Sequence, residues 1–299
     1  MTSSLIFPIL NPPDPINHNG NAMHLKTFSI KGFLLLSLFT GLTALPFTPF
    51  SFAREPIRAV AAAGDIQLAN TTNDSFNKSK QLLHNVIYKD AASRQDIYCG
   101  CKYDEKKAVD FDSCGYRPEK DNERAHRIEW EHAVPAEAFG QSFKEWREGH
   151  PDCVDNRGKA FRGRKCAEKV NPEYRRMQAD MYNLYPAVGE VNGLRSNYSM
   201  AMIPDSNYRF GECRTKIEDR KIEPRPEVRG EIARTYFYME RAYPGHGIIS
   251  GKNEKLFQVW DKADPVDEWE CERASRIAKI QGNINLVVDQ ACRSVQRNK

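Results

Sequence analysis

Ile128-Glu129-Trp130-Glu131-His132-Ala133-Val134-Pro135 is the densest polar run in a segment that otherwise has the composition of a β-strand. Branched and aromatic residues fit a pleated, half-buried surface, and a proline, which has no N–H to give to a ladder, stops the strand. In a regular strand neighbouring side chains point to opposite faces, so Glu131 and His132 could not meet at one centre. A bend at Pro135 removes that obstacle and lets a carboxylate and an imidazole converge. Taken alone, a Glu-His pair is more often a surface ion pair than a catalytic couple.

A second polar piece follows at Gly189-Glu190-Val191-Asn192-Gly193-Leu194-Arg195-Ser196-Asn197. At about 100° per residue, Val188, Val191 and Leu194 form an apolar stripe, with Asn192 at its edge. A half-buried amide must find a partner. The ordinary partner is backbone; the sharper alternative is a cation.

Helical periodicity dominates the rest. Phe76, Leu82, Leu83, Val86, Ile87 and Ile97 fit a helix that breaks before Cys99-Gly100-Cys101. Further helices are expected from Pro172 to Met181, Pro186 to Asn197, Pro226 to Tyr243, Gly251 to Trp260 and Pro265 to Gln281. Proline near a helix start costs nothing, because the first N–H groups have no intrahelical partner. Tyr236, Phe237, Tyr238 and Tyr243 are expected to pack in the core rather than to stack on bases. The fold class expected is α+β, mostly helical, with few strands and irregular loops in a single domain.

Charged residues are 28% and aromatics 10% of the 299 residues, which argues against disorder over most of the chain. The net charge of +4 says little by itself; its distribution says more. Between Arg157 and Arg176 stand eight basic residues opposed only by Glu168 and Glu173, a local +6 of the kind that phosphate backbones seek. Neither a helix-turn-helix, a zinc finger nor an RNA-recognition signature is present to read bases. HExxH is also absent, as is a serine or cysteine nucleophile setting, which leaves a protease reading weak.

Residues 24–53 have the form of a secretory signal: Lys26 and Lys31, an apolar run from Phe33 to Leu45, then Ser51-Phe52-Ala53. An uncleaved anchor is the alternative, but the apolar run is short for a bilayer. Met23 is the better initiator, so residues 1–22 are expected to be an upstream, disordered extension, 23–53 the signal peptide, 54–75 a linker and 76–299 the catalytic domain. Removal of residues 1–53 takes two lysines and one aspartate and lowers the net charge to +3. All eight cysteines lie beyond position 98. In an exported chain they read as disulfides rather than as a zinc site on Cys99 and Cys101, since no second CxxC or histidine cluster completes one. Among 105 pairings, Cys153 with Cys166 is the one local expectation.

Glu-Trp-Glu-His-x-Val-Pro-Ala at 129–136 resembles the signature of the endonuclease I family of bacterial periplasmic and secreted nucleases. Other blocks agree in order: Gly163-Arg164-Lys165-Cys166, Met177 to Pro186, Gly189 to Gly193, Gly230 to Met239, Trp269 to Arg273 and Arg276 to Lys279. They span roughly 80 to 292. The resemblance implies a ββα-metal motif and cleavage of DNA, and of RNA, without sequence specificity, leaving 5′-phosphate and 3′-hydroxyl ends. It implies that His132 is the general base, that Glu131 and Asn192 hold the metal, and that Arg164 stabilises the phosphate. Two hard oxygen ligands suit Mg²⁺, with Mn²⁺ or Ca²⁺ as alternatives. Lys165 and Arg195 are candidate substrate contacts, and Asp180 and Asn183 candidate supports behind the site. A monomer acting in the periplasm or the medium, with no membrane attachment once mature, is expected. The chain departs from the family pattern at Gln178 and Tyr182, which stand where the family has an acid and a histidine, at Asn285-Leu286-Val287-Val288, and in the length of the Cys153–Cys166 loop. A secreted polyanion-binding protein without catalysis is the rival from another class; it would need the basic segment but not Glu131, His132 and Asn192 together.

Overall fold

β1 (Ile128–His132) and β2 (Leu184–Val188) pair antiparallel, with Trp130 opposite Pro186 and His132 opposite Leu184. The chain leaves β2 directly into helix α6 (Gly189–Arg195), so the central unit is two strands followed by a helix. The remainder of the fold is assembled around this unit. A computed structural model describes residues 66–204 and 207–297; the extension, the signal and all of the expected linker before residue 66 lie outside the described residues.

α1 (Phe76–Leu82) begins where Ser75 accepts the backbone N–H of Lys78 at 3.2 Å, a side-chain N-cap worth about 1 kcal/mol. One π turn (Leu83–Ile87) continues it and buries Leu83 and Ile87. After β1 come α2 (Ala136–Gly140), α3 (Lys144–Arg147), α4 (Arg164–Val170) and α5 (Pro172–Gln178). Asn171 caps α5 by accepting from Tyr174 N at 2.9 Å, and Pro172 occupies its first turn. A small sheet, in which β5 (Lys221–Glu223) lies between β3 (Ser199–Met200) and β4 (Lys216–Glu218), bridges α6 to the C-terminal helices. These are α7 (Arg229–Ala242), α8 (Gly251–Ala263), α9 (Glu268–Gln281) and α10 (Leu286–Arg297). Of the four aromatics expected in the core, Tyr236, Tyr238 and Tyr243 are buried and Phe237 is half-buried against that core. The described residues make an α+β domain, predominantly helical.

Three expectations are corrected. The helix expected to include Phe76 through Ile97 ends with the π turn at Ile87, and Ile97 lies in a turn beyond it. The helix expected from Pro186 is in part a strand: Pro186–Val188 belong to β2, and the helix starts only at Gly189. Pro186 is tolerated because its carbonyl faces the outer edge of the two-stranded sheet, where it accepts from Ile97 N at 2.8 Å. The part of the linker that is described is also no linker. Asn70 N donates to Tyr243 Oη at 3.0 Å, Asn70 Nδ2 to Arg176 O at 2.9 Å, and Thr72 Oγ1 to Gln281 O at 2.7 Å. The domain therefore begins about residue 67, ahead of Phe76.

All eight cysteines are paired, as Cys99–Cys213, Cys101–Cys114, Cys153–Cys166 and Cys271–Cys292. Cys153–Cys166 is the pair expected from the sequence. The zinc alternative at Cys99 and Cys101 falls, since both sulfurs are in disulfides and the neighbouring Asp96 carboxylate accepts the N–H groups of Tyr98, Cys99 and Cys101.

Candidate active site

Glu129 and Glu131 lie on the face of β1 that meets α6, and Asn192 and Arg195 lie three residues apart on one face of that helix. Asn192 Nδ2 donates to Glu129 Oε2 at 3.0 Å, and Arg195 Nη1 donates to Glu131 Oε1 at 2.5 Å. Arg195 also donates to the carbonyls of His132 (2.7 Å) and Ala133 (2.6 Å). Asn183 holds the next residue from both sides: its Oδ1 accepts Val134 N at 2.7 Å and its Nδ2 donates to Val134 O at 3.0 Å. Four consecutive residues at the end of β1 are thus fastened by Arg195 and Asn183, and the chain bends there ahead of Pro135. The bend brings Glu131 and His132, which alternate along the strand, to the rim of one cleft of about 390 Å³ that Arg164, Asn192, Phe76 and Trp146 also line.

His132 is buried, its ring centroid 4.9 Å from that of Phe76. Its Nε2 lies 2.9 Å from the main-chain carbonyl of Gln178. A carbonyl can only accept, so Nε2 carries the proton and Nδ1 keeps its lone pair. Burial, reinforced by the positive field of Arg164, lowers the pKa of His132 to about 3, against a smaller upward pull from the Gln178 carbonyl. The imidazole is therefore neutral across the physiological range.

Glu131 is equally buried, and burial pushes its pKa up while Arg195 and the Tyr98 hydroxyl pull it down. Tyr98 Oη donates to Glu131 Oε1 at 2.7 Å. Because Tyr98 and Arg195 both take Oε1, Oε2 is the oxygen not claimed by a side-chain donor. The donation of Asn192 Nδ2 to Glu129 likewise leaves the Asn192 Oδ1 acceptor outside that bond. A carboxylate oxygen and an amide oxygen from one strand and one helix, opening on the same cleft, fit a hard divalent cation.

Arg164 is the first residue of α4, reached through Gly163 at φ +77°, a conformation that favours glycine. Its guanidinium lies over the Phe76 ring at 5.6 Å from the centroid, exposed and without a carboxylate partner among the described residues. Lys165 is exposed beside it but does not line the cleft. Arg195 is 1% exposed and its terminal nitrogens are spent on protein acceptors; the substrate contact expected of it gives way to the holding of Glu131 and the bend. Asp180 is fully buried and accepts from Tyr182 N, Gln281 Nε2, Tyr238 Oη and Tyr243 Oη at 2.7–3.0 Å, which makes it an anchor of the helical core.

Gln178 and Tyr182, two of the departures from the family pattern, are both buried. Gln178 serves His132 through its main-chain carbonyl, which any residue supplies. Tyr182 packs on Tyr238 at 4.7 Å and donates to Ala274 O and Asn283 O at 3.2 Å, as a core residue. Sequence reasoning missed Tyr98, 33 positions from Glu131, and Glu129, which receives Arg124 Nε and Arg127 Nη2 at 3.0 and 3.1 Å as well as Asn192. Glu129 stands two residues before Glu131 on the same strand face and could have been found; nothing local marks Tyr98.

The endonuclease I family model matches residues 67–292. An extracellular deoxyribonuclease of Aeromonas hydrophila is 40% identical over 225 residues, 73% of this chain and 90% of that protein. A periplasmic deoxyribonuclease of the same organism is 43% identical over 203 residues, 66% and 78% of the two chains. Endonuclease-1 of Buchnera aphidicola subsp. Acyrthosiphon pisum is 40% identical over 227 residues, 74% and 83%.

Proposed function

The chain belongs to the endonuclease I family and is an endonuclease, and on that premise we propose that it hydrolyses the phosphodiester bonds of DNA, and of RNA, without sequence specificity. The observation that carries the reading is the convergence of Glu131, His132, Arg164 and Asn192 on one cleft, with the proton of His132 fixed on Nε2 by the Gln178 carbonyl. On this reading β1, β2 and α6 are a ββα-metal motif. Glu131 and Asn192 would hold Mg²⁺, or Mn²⁺ or Ca²⁺ in its place. The cation, when bound, neutralises charge on the scissile phosphate and on the departing oxygen.

The chain's own groups do the rest. Neutral His132 accepts at Nδ1 a proton from the attacking water, whose oxygen forms the new bond to phosphorus. The P–O3′ bond breaks on the opposite side and the departing O3′ takes a proton from solvent water, leaving a 3′-hydroxyl and a 5′-phosphate. Arg164 offers a forked donor to the phosphate oxygens. Arg195 and Asn183 keep the strand end bent, so that the base stays in reach of the phosphate. A grip on phosphate alone carries no sequence information. Four disulfides suit an oxidising compartment, and the named relatives are extracellular or periplasmic, so the enzyme is read as an exported monomer.

The test is plasmid nicking by the oxidised chain with Mg²⁺, with EDTA, and as His132→Ala. Removal of the base should lower turnover about 10²–10⁴-fold with DNA binding kept. Wild-type rates from His132→Ala would remove the base assignment; retarded but intact DNA in every lane would favour the polyanion-binding alternative.

A further inference from the structure

Cys153 and Cys166 close a loop that gathers several unpaired cations on one short segment. Arg157, Lys159, Arg162 and Lys165 are all exposed, and none forms an ion pair among the described residues. Several other arginines are matched, Arg124 with Glu129, Arg209 with Glu119, Arg229 with Glu223 and Arg276 with Asp90. Arg220 and Arg241 are exposed without an ion pair among the described residues, but each stands singly, whereas the loop gathers its unpaired cations on one stapled segment. The one carboxylate inside the loop is Asp155, and its Oδ1 accepts the backbone N–H groups of Arg157 and Lys159, each at 2.9 Å. It builds the turn and leaves the cations unneutralised.

The loop is also held in shape. Val154 and Ala160 form an isolated bridge, Phe161 N donates to Cys153 O at 2.8 Å, and Gly163 N donates to Trp146 O at 3.0 Å. The disulfide sets the Cα atoms of Cys153 and Cys166 5.4 Å apart. At its C-terminal end the loop runs through Gly163 into Arg164, which lines the cleft. A solvated charge run on a flexible segment would show none of these restraints. Uncompensated positive charge on a pre-shaped support, continuous with a site that grips phosphate, is what repeated phosphates along one backbone would recognise.

We infer that the stapled loop is a second nucleic-acid contact, a track on which Arg157, Lys159 and Arg162 take phosphates of duplex DNA outside the one being cut. This rests on the nuclease reading and adds to it where affinity comes from. The chemistry at the cleft needs Arg164; the hold on a long duplex needs the loop.

The test compares the wild type with Arg157→Ala/Lys159→Ala/Arg162→Ala, and with Lys252→Ala/Lys255→Ala/Lys262→Ala. The second triple makes the same charge change on α8, which gives no residue to the cleft. Binding of a short fluorescein-labelled duplex to each oxidised chain is followed in EDTA over a range of salt. Each phosphate that a cation no longer neutralises lowers the slope of log K against log salt by about 0.9. The loop triple should therefore take roughly 2–3 from the slope and the α8 triple almost nothing. In Mg²⁺ the loop triple should raise KM on duplex and keep kcat, with the gap closing as salt rises. An unchanged slope in the loop triple, or an equal change in both triples, would overturn the inference. A wild-type chain that binds duplex but never cuts it would instead overturn the reading of the cleft and leave the track standing.

Discussion

Arginine is used in two opposite ways in this molecule. In the interior Arg195, Arg234 and Arg273 are each at most 3% exposed, and each guanidinium donates to several protein acceptors. Arg234 meets Glu270 through Nε and Nη2 and Asp261 through Nη1. Arg273 reaches the carbonyls of Met181 and Leu184 and the Tyr88 hydroxyl, with its guanidinium 4.0 Å from the Tyr185 ring centroid. In the Cys153–Cys166 loop the guanidinium groups form no ion pair among the described residues. A buried guanidinium is a fixed fork that sets backbone geometry, and its charge is tolerable only because it is matched. An exposed, unmatched one keeps its donors for a partner that arrives. Only the second kind can bind substrate, which is why Arg195 belongs to the scaffold even though it stands next to the cleft.

Arg195→Ala should break this contrast most violently, since it abandons the Glu131 carboxylate in the interior. The expected cost is about 3–5 kcal/mol, read from urea unfolding at neutral pH; a cost near zero would mean that Glu131 is not held as described. A second test lies at Glu231, which adjoins the buried arginines and has an oxygen, Oε1, with no partner. Burial, helped by Glu270, raises its pKa from 4.5 to about 7. Between those values the folded chain holds more protons than the unfolded one. The stability Glu231 allows is therefore complete below about pH 4.5 and is lost as pH rises through 7. At 1.36 kcal/mol per pH unit the loss is on the order of 3 kcal/mol, and Glu231→Gln should flatten it in melts taken across that range.

Smaller effects sharpen the picture. Tyr98→Phe removes one donor from Glu131 and leaves Arg195 in place. It should raise the Mg²⁺ needed for half-maximal cleavage about 10-fold, as supporting groups around a cation do, with little change in kcat at saturating Mg²⁺. No shift in the Mg²⁺ titration would remove Tyr98 from the site. Arg157→Ala should move stability by less than about 0.5 kcal/mol in the same urea assay; a larger loss would show that the loop arginines are structural after all.

The sequence is most legible where chemistry and local geometry coincide. Pro135 after a polar strand announces the bend that joins Glu131 to His132, and Asn192 at the edge of an apolar stripe announces a half-buried amide facing the cleft. It is least legible where the controlling contact is distant. Leu184-Tyr185-Pro186-Ala187-Val188 is apolar throughout and carries a proline, so nothing in it signals a strand. Its register comes from β1, more than fifty positions earlier. α10 is not among the expected helices, although Asn285 stands at its start and accepts Val287 N at 3.0 Å as an N-cap, and the helix is tied to α9 by Cys271–Cys292. Tyr98 reaches Glu131 only because Asp96 and two disulfides set the turn around it. Asp180 reads in sequence as a support of the site, whereas the helical core claims its hydrogen bonds, a distinction that burial alone supplies.

The anchor of His132 is an atom that mutation cannot delete. Whichever amino acid stands at position 178 brings a carbonyl, so the orientation and tautomer of the base are inherited by every substitution that keeps the end of α5 in place. The Gln178 side chain itself is 2% exposed and donates from Nε2 to Glu168 Oε1 at 3.3 Å, so a substitution there is felt in packing while the carbonyl that His132 uses remains. A designer who wished to retune the base would find no side chain to exchange behind it. The available route is to displace the main chain itself, by a proline or an insertion that moves the carbonyl away and lets the imidazole turn.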